Sequence, residues 1–281
     1  MKILVAGAGT MGAGIAQVFA QAGHGVVLYD VSGVAVKNGL AGLIKGLEKL
    51  VEKGKLEDGK MNEIIGNVKA TDNLSMAAEC DMVIEAVIED AAVKKDLFRS
   101  LEIICGPDTI FASNTSSISI TELAEAISRP DKFIGMHFFN PAPVMKLVEV
   151  IRGFQTSDDT FDKTFALSRE IGKEPVEVKE APGFVVNKIL IPMINEAVCV
   201  LEQNVASAAD IDKAMTLGAG HPMGPLSLSD LIGNDVVLFI MDTLYKETGD
   251  SKYRASVLLK KMVRAGKLGR KSGEGFFSYG K

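Results

Sequence analysis

The first thirty residues, Met1–Asp30, read MKILVAGAGTMGAGIAQVFAQAGHGVVLYD. Lys2–Ala6 is a short apolar run of strand character. Gly7, Gly9 and Gly12 follow it as G-x-G-x-x-G, and Ile15, Ala16, Phe19 and Ala20 then recur at helical spacing. Val26–Tyr29 reads as a second strand, which ends at Asp30. Strand, glycine turn, helix, strand and acid in that order make a dinucleotide-binding unit. Gly7 lets the chain leave the strand sharply, Gly9 lets a pyrophosphate reach backbone N–H groups, and Gly12 lets helix and strand pack closely. Thr10 and Met11 open the helix, whose N-terminus offers unpaired N–H groups and a partial positive charge. Asp30 lies 18 residues past Gly12. A carboxylate there accepts hydrogen bonds from a ribose diol and repels a 2′-phosphate, which favours NAD over NADP. FAD uses the same fingerprint, so the motif by itself leaves both cofactors open.

Outward from this unit, apolar runs of strand length recur at 68–70, 81–87, 109–112, 133–137, 148–151 and 175–178. A helical pattern fills residues 32–66, although Gly39, Gly42 and Gly46 weaken it, and Lys94 lies on the helix that follows the 81–87 run. Alternation of this kind predicts an α/β fold, a Rossmann-like, doubly wound, mainly parallel sheet over residues 1–182. Ligands of such sheets bind at the carboxyl ends of the strands. Asp30, Glu89, Asn114, Ser116 and His137 all fall at or just past such ends. Beyond Ala181-Pro182-Gly183 the strand signal fades. Helices are predicted at 184–205 with a kink at Pro192, and at 208–217, 226–247 and 255–266, with HPMGP (221–225) as a break. Residues 183–281 therefore read as an all-helical domain, in which the apolar stretch 184–201 fits either a core helix or a dimer face.

Composition narrows the classes. The chain has 281 residues, 47% of them hydrophobic and 24% charged, as expected of a globular protein of one or two domains. A net charge of −5 argues against nucleic acid as a partner. The longest apolar runs, at 189–194 and 236–241, fall far short of the roughly 20 residues of a membrane span. Cys80, Cys105 and Cys199 have no paired spacing, which points to reduced thiols in a cytoplasmic protein. His24, His137 and His221 are equally dispersed, which argues against a metal centre.

The segment Gly135–Ile151, GMHFFNPAPVMKLVEVI, puts His137 at the end of one strand and Glu149 within another, twelve residues later. A neutral imidazole can take a proton from a secondary alcohol as hydride leaves the same carbon. A carboxylate on the other ring nitrogen fixes the tautomer and stabilises the imidazolium. Taken singly, His137 also fits a buried structural histidine, Ser116 a helix cap, and Asn187 a solvated amide.

GAGTMGAGIAQVFA, FASNTSS, MHFFNPAPVMKLVEVI, APGFVVNKIL and HPMGPL closely resemble the L-3-hydroxyacyl-CoA dehydrogenase family, and the chain is most similar to its short bacterial members. The likeness runs from Lys2 to the C-terminal LGRKSGEGFFSY. It implies NAD as cofactor and reversible hydride transfer at C3 of a short acyl-CoA substrate, acetoacetyl-CoA or 3-hydroxybutyryl-CoA. It implies His137 as general acid and base, Glu149 as its partner, and Ser116 and Asn187 as holders of the substrate's 3-oxygen. For the cofactor it points to the glycine turn, Asp30, Glu89, Lys94, Asn114, Asn140 and Lys271. Coenzyme A contacts fall in the segment after Asp30, where Lys49, Lys53 and Lys55 are the candidates. This chain is richer in glycine there than the family pattern leads one to expect. The likeness also implies that residues 183–281 form a substrate-binding and dimerisation domain, with a homodimer formed through it. The competing expectation is a non-catalytic, crystallin-like protein that binds NAD for structural reasons.

Overall fold

The computed structural model describes residues 1–280 and divides into two compact units, Met1–Ala181 and a second that begins at Pro182. In the first unit β1 (Lys2–Ala6), α1 (Thr10–Gln21) and β2 (Gly25–Tyr29) follow the predicted order. Next come α2 (Gly33–Glu52), α3 (Asp58–Gly66), β3 (Val68–Thr71) and β4 (Met82–Glu85). The unit continues with α4 (Ala91–Ile104), β5 (Ile110–Ser113), α5 (Ile120–Ala124) and β6 (Phe133–Phe138). It closes with β7 (Leu147–Arg152), α6 (Asp158–Glu170) and β8 (Glu174–Lys179).

The eight strands form one sheet in the order β3-β2-β1-β4-β5-β6-β7-β8. Every neighbouring pair is parallel except β6 and β7. The chain reverses its direction of strand addition at β1, with β2 on one side and β4 on the other, so β1 and its glycine turn mark the crevice where such sheets bind ligands. The middle strands are buried along their length, as continuous apolar runs require. Ile3, Val5, Ile15, Phe19, Leu28, Leu43 and Leu47 belong to a core shared by β1, β2, α1 and α2. Phe98 of α4 packs edge-on against Phe133 of β6, with ring centroids 4.7 Å apart.

Two glycine positions show why the cofactor turn needs its sequence. Gly7 has φ +108°, and a Cβ there would run into the Ala86 carbonyl of the next strand exit. A Cβ on Gly12 would run into the Gly7 carbonyl itself. The expected weakness of the helix after Asp30 is not observed, because α2 runs unbroken for 20 residues behind its Ser32 cap. Gly39 has a packing reason. A Cβ there would strike the Ala8 carbonyl, so its absence lets α2 lie directly on the glycine turn. Close approach and the burial of Leu43 and Leu47 outweigh the roughly 1 kcal/mol that a helical glycine costs. The single helical stretch expected to Gly66 is interrupted by the turn that separates α2 from α3.

The second unit is helical up to Arg264 and ends in a segment with two isolated β-bridges, Gly269–Glu274 and Glu274–Ser278. It comprises α7 (Val186–Glu202), α8 (Ala208–Gly218), α9 (Pro225–Ile232), α10 (Asn234–Thr248) and α11 (Val257–Arg264), around a core that includes Ile194, Val198, Leu226, Met241 and Leu259. Helix α7 continues through Pro192. The helix expected over 226–247 is two helices, divided at Gly233, whose φ of +107° no helix accepts. Buried Asp212 accepts the N–H groups of Leu226 and Ser227 at the start of α9. Buried Asp230 accepts those of Phe276 and Phe277 and so ties down the C-terminal segment. Among the described residues no helix is long and apolar enough to cross a membrane.

Candidate active site

The antiparallel register of β6 and β7 sets His137 directly opposite Glu149. Their side chains meet on one face, with His137 Nδ1 2.7 Å from Glu149 Oε2. The His137 side chain is 8% exposed and that of Glu149 0%. A carboxylate this deeply buried is tolerable because it is bonded to a group that shares or balances its charge. A separation of twelve residues in sequence thus becomes direct contact, because the chain turns back between the two strands. Phe139 packs beside the imidazole, with ring centroids 4.5 Å apart. Half-buried Asn114, just past β5, accepts the Phe138 N–H through Oδ1 at 2.8 Å, which ties the end of β6 to the neighbouring loop.

A second network joins the exits of β4 and β5. Lys94 on α4 is only 1% exposed and lies between two carboxylates, with Nζ 2.6 Å from Glu85 Oε1 and 3.1 Å from Glu89 Oε2. Glu85 also accepts the Ser113 hydroxyl at 2.6 Å and the Val87 N–H at 2.7 Å. Glu89 Oε1 collects the loop after β5. It accepts the Thr115 hydroxyl at 2.7 Å and the Ser116 N–H at 2.8 Å, and the Ser116 hydroxyl, Ser117 N–H and Ser117 hydroxyl at 3.1–3.2 Å. The two acids titrate in opposite directions. Burial dominates at Glu85 and raises its pKa despite Lys94. Burial also works to raise Glu89, but Lys94 and the bonds from Thr115 and Ser116 outweigh it, and the pKa is lowered. Ser116 is therefore held on an ionised carboxylate.

The cofactor turn has the form a dinucleotide needs. A Cβ on Gly9 would meet nothing within 4 Å, so open space lies in front of the turn, and no side chain caps the N-terminus of α1. Thr10 and Met11 stand in its first turn. Asp30 accepts the Ala8 N–H at 2.9 Å and the Ser32 N–H at 3.0 Å, so it braces the glycine turn from the end of β2. These residues fit NAD, with exposed backbone donors for phosphates and a carboxylate at the ribose position.

The first unit thus brings His137 to Glu149, and Ser116 to Glu89 and Lys94. Asn140 is exposed in the loop between β6 and β7, next to Pro141. Lys49, Lys53 and Lys55 are exposed at the end of α2 and in the turn after it. Asn187 and Lys271 belong to the second unit. Asn187 is half-buried in the first turn of α7, and Lys271 is paired with Asp235, Nζ to Oδ2, at 2.6 Å. Reading by sequence missed Glu85, Ser113, Thr115 and Ser117. Glu85 left a signal, as a carboxylate in the middle of the apolar run that follows Asp81 in DMVIEAV. A strand buried on both faces accommodates such a group only with a partner.

Comparisons with known proteins place the chain in a family. Residues 2–181 match the model of the 3-hydroxyacyl-CoA dehydrogenase NAD-binding domain, and residues 183–279 match that of the 3-hydroxyacyl-CoA dehydrogenase C-terminal domain. The chain is 57% identical over 281 residues to a 3-hydroxybutyryl-CoA dehydrogenase of Clostridioides difficile, covering 100% of both. It is 43% identical to the mitochondrial hydroxyacyl-coenzyme A dehydrogenase of Homo sapiens, over 99% of this chain and 90% of that one. Among solved structures, (S)-3-hydroxybutyryl-CoA dehydrogenase PaaH1 from Ralstonia eutropha superposes with a TM-score of 0.97 at 49% identity, covering 100% of this chain and 99% of the other.

Proposed function

Because this chain belongs to the 3-hydroxyacyl-CoA dehydrogenase family, we propose that it interconverts (S)-3-hydroxybutyryl-CoA and acetoacetyl-CoA with NAD(H), by reversible hydride transfer at C3. The observation that carries this reading is the buried 2.7 Å bond between His137 and Glu149 beside the carboxyl ends of the parallel strands. NAD(H), when bound, supplies or accepts the hydride. Gly7, Gly9 and Gly12 with Thr10 and Met11 hold its pyrophosphate, and Asp30 its adenosine ribose. Glu89, Lys94, Asn114, Asn140 and Lys271 complete that assignment.

The protein's own chemistry is proton transfer and charge stabilisation. Glu149 holds the Nδ1–H, so the proton exchanged with substrate is carried on Nε2 of His137. In reduction the imidazolium gives that proton to the 3-oxygen, and in oxidation the neutral ring takes it back. Glu149 stabilises the imidazolium without itself becoming protonated. The Ser116 hydroxyl turns from Glu89 to the 3-oxygen, and Asn187 is assigned the same oxygen. Donors preset at the atom where negative charge develops lower the barrier most. Lys49, Lys53 and Lys55 are the candidates for coenzyme A.

Oxidation of NADH should be fast with acetoacetyl-CoA, much slower with NADPH in its place, and absent with free acetoacetate. Tight NADH binding without turnover on acetoacetyl-CoA or longer 3-oxoacyl-CoAs would leave only a structural cofactor-binding protein. Equal use of NADPH would remove the role given to Asp30. The proposal extends to a homodimer in a cytoplasmic enzyme. The helical unit exposes Ile189, Leu217, Phe239 and Val257, each 48–77% accessible, in the isolated chain. Sedimentation should give twice the chain mass, and removing the helical unit's exposed apolar side chains should yield monomer; a native monomer would contradict this.

A further inference from the structure

Lys173 is a buried cation that the proposed chemistry does not use. It is 7% exposed and stands between α6 and β8. Its Nζ donates to the Ala142 carbonyl at 2.6 Å and to the Met145 carbonyl at 2.8 Å. Burial lowers its pKa, and no carboxylate offsets that. A methionine would fill the same space without burying a charge, so the ammonium has a task that an apolar side chain would not perform.

The backbone on both sides of Lys173 is fixed. Helix α6 ends in a Schellman motif, with Gly172 N–H on the Arg169 carbonyl, Lys173 N–H on the Ser168 carbonyl, and Gly172 at φ +74°. Glu174 N–H then donates to the Lys146 carbonyl and begins the pairing of β8 with β7. The side chain is thereby aimed at one segment, the loop 139–146 that joins β6 to β7. This loop connects the strand of His137 to the strand of Glu149, and it carries Asn140. Its own turn is closed by the Val144 and Met145 N–H groups on the Pro141 carbonyl. On its other flank Gly14 of α1 lies against Ala142 and Pro143, where a Cβ would sit 3.2 Å from each side chain. The loop is thus held between the dinucleotide helix and an ammonium that binds two of its carbonyls.

We propose that Lys173 is a positioning residue, which through the Ala142 and Met145 carbonyls holds the 139–146 loop so that Asn140 is presented to the bound cofactor. This rests on the reading of Asn140 as a cofactor residue. Removing the ammonium leaves two carbonyls without their donor and frees the loop to shift, while the His137–Glu149 pair keeps its register from the strands themselves.

The test is a double-mutant cycle of Lys173→Met and Asn140→Ala, read by NADH fluorescence titration and by steady-state kinetics with acetoacetyl-CoA. Lys173→Met should raise the Kd and KM for NADH about tenfold, the scale of a charge-assisted bond, with kcat at saturating NADH and the KM for acetoacetyl-CoA within about threefold of wild type. Asn140→Ala should weaken NADH to a similar extent, and adding Lys173→Met to it should cost less than about a further twofold, as expected of coupled neighbours. A lower Tm with unchanged NADH affinity in Lys173→Met would overturn the proposal and leave Lys173 with a purely stabilising role. An equal loss in the Asn140→Ala background would show that it acts by another route. Unchanged NADH affinity in Asn140→Ala alone would refute the reading of Asn140, and the proposal with it. If Lys173→Met does not fold, Lys173→Gln enters the same cycle under the same criteria.

Discussion

Replacing His137 with Gln should lower kcat for the reduction of acetoacetyl-CoA by about two to four orders of magnitude, the usual contribution of the general acid–base role proposed for it. The substitution is close in volume and polar, so the pocket beside Phe139 remains filled and NADH binding should stay near that of the wild type. An amide has no titrating proton in the useful range, so the 3-oxygen must find its proton in water. Reduction and oxidation should fall together, because the proposed mechanism assigns one ring nitrogen to both directions. The check is kcat in each direction on protein with wild-type circular dichroism and NADH affinity. A folded His137→Gln enzyme that kept most of its kcat would show that the pairing with Glu149 is structural and that the proton comes from elsewhere.

The second large effect is expected on stability. Lys94→Met removes the cation shared by Glu85 and Glu89 and leaves Glu85, with no exposed surface, without its counter-charge. Breaking a buried pair in this way costs about 3–5 kcal/mol. The loss should depend on pH with a definite sign. Burial already raises the pKa of Glu85, and without Lys94 it rises further. The folded form then favours the protonated acid, so the penalty is small below the unfolded value of about 4.3 and grows as pH rises through it toward the folded pKa. Glu89 has the opposite tendency. Its lowered pKa contributes stability above the unfolded value, and Lys94→Met removes part of that at neutral pH. The Glu85 effect makes the gap between wild type and variant wider at pH 7–8 than at pH 5, whereas the Glu89 effect is already nearly complete at pH 5, above its unfolded value. Urea titrations at these pH values measure it. The double variant Glu85→Gln with Lys94→Met should recover much of the loss, since it has no orphaned charge at Glu85. A double variant as unstable as the single one would mean that Lys94 stabilises the fold mainly through Glu89 and its packing.

The order of elements was legible because each carries a local period. The apolar runs of β1, β4 and β6 lie within a residue or a few of their predicted bounds. Where local reasoning failed, a contact distant in sequence decided the outcome. The glycines of α2 read as weak points, yet Gly39 is needed for the approach to Ala8. Residues 226–247 read as one apolar helix, but Gly233 adopts a conformation that ends one helix and starts the next. The 81–87 run overstated its strand, because Val87 leaves the sheet to donate its N–H to Glu85.

The site divides in the same way. The glycine turn, Asp30 and the residues at the strand ends are specified by sequence alone, since turn, helix N-terminus and acid follow one another along the chain and their chemistry depends on that local order. The sequence also places His137 and Glu149 on successive strands. It does not contain their 2.7 Å bond, which exists because β6 and β7 are antiparallel within an otherwise parallel sheet. The sharing of Lys94 by two acids, the gathering of Thr115, Ser116 and Ser117 on Glu89, and the reach of Lys173 to the 139–146 loop belong to tertiary structure as well. Burial makes these bonds strong and their partners obligatory, and burial is a property of the packed chain, not of any segment of it.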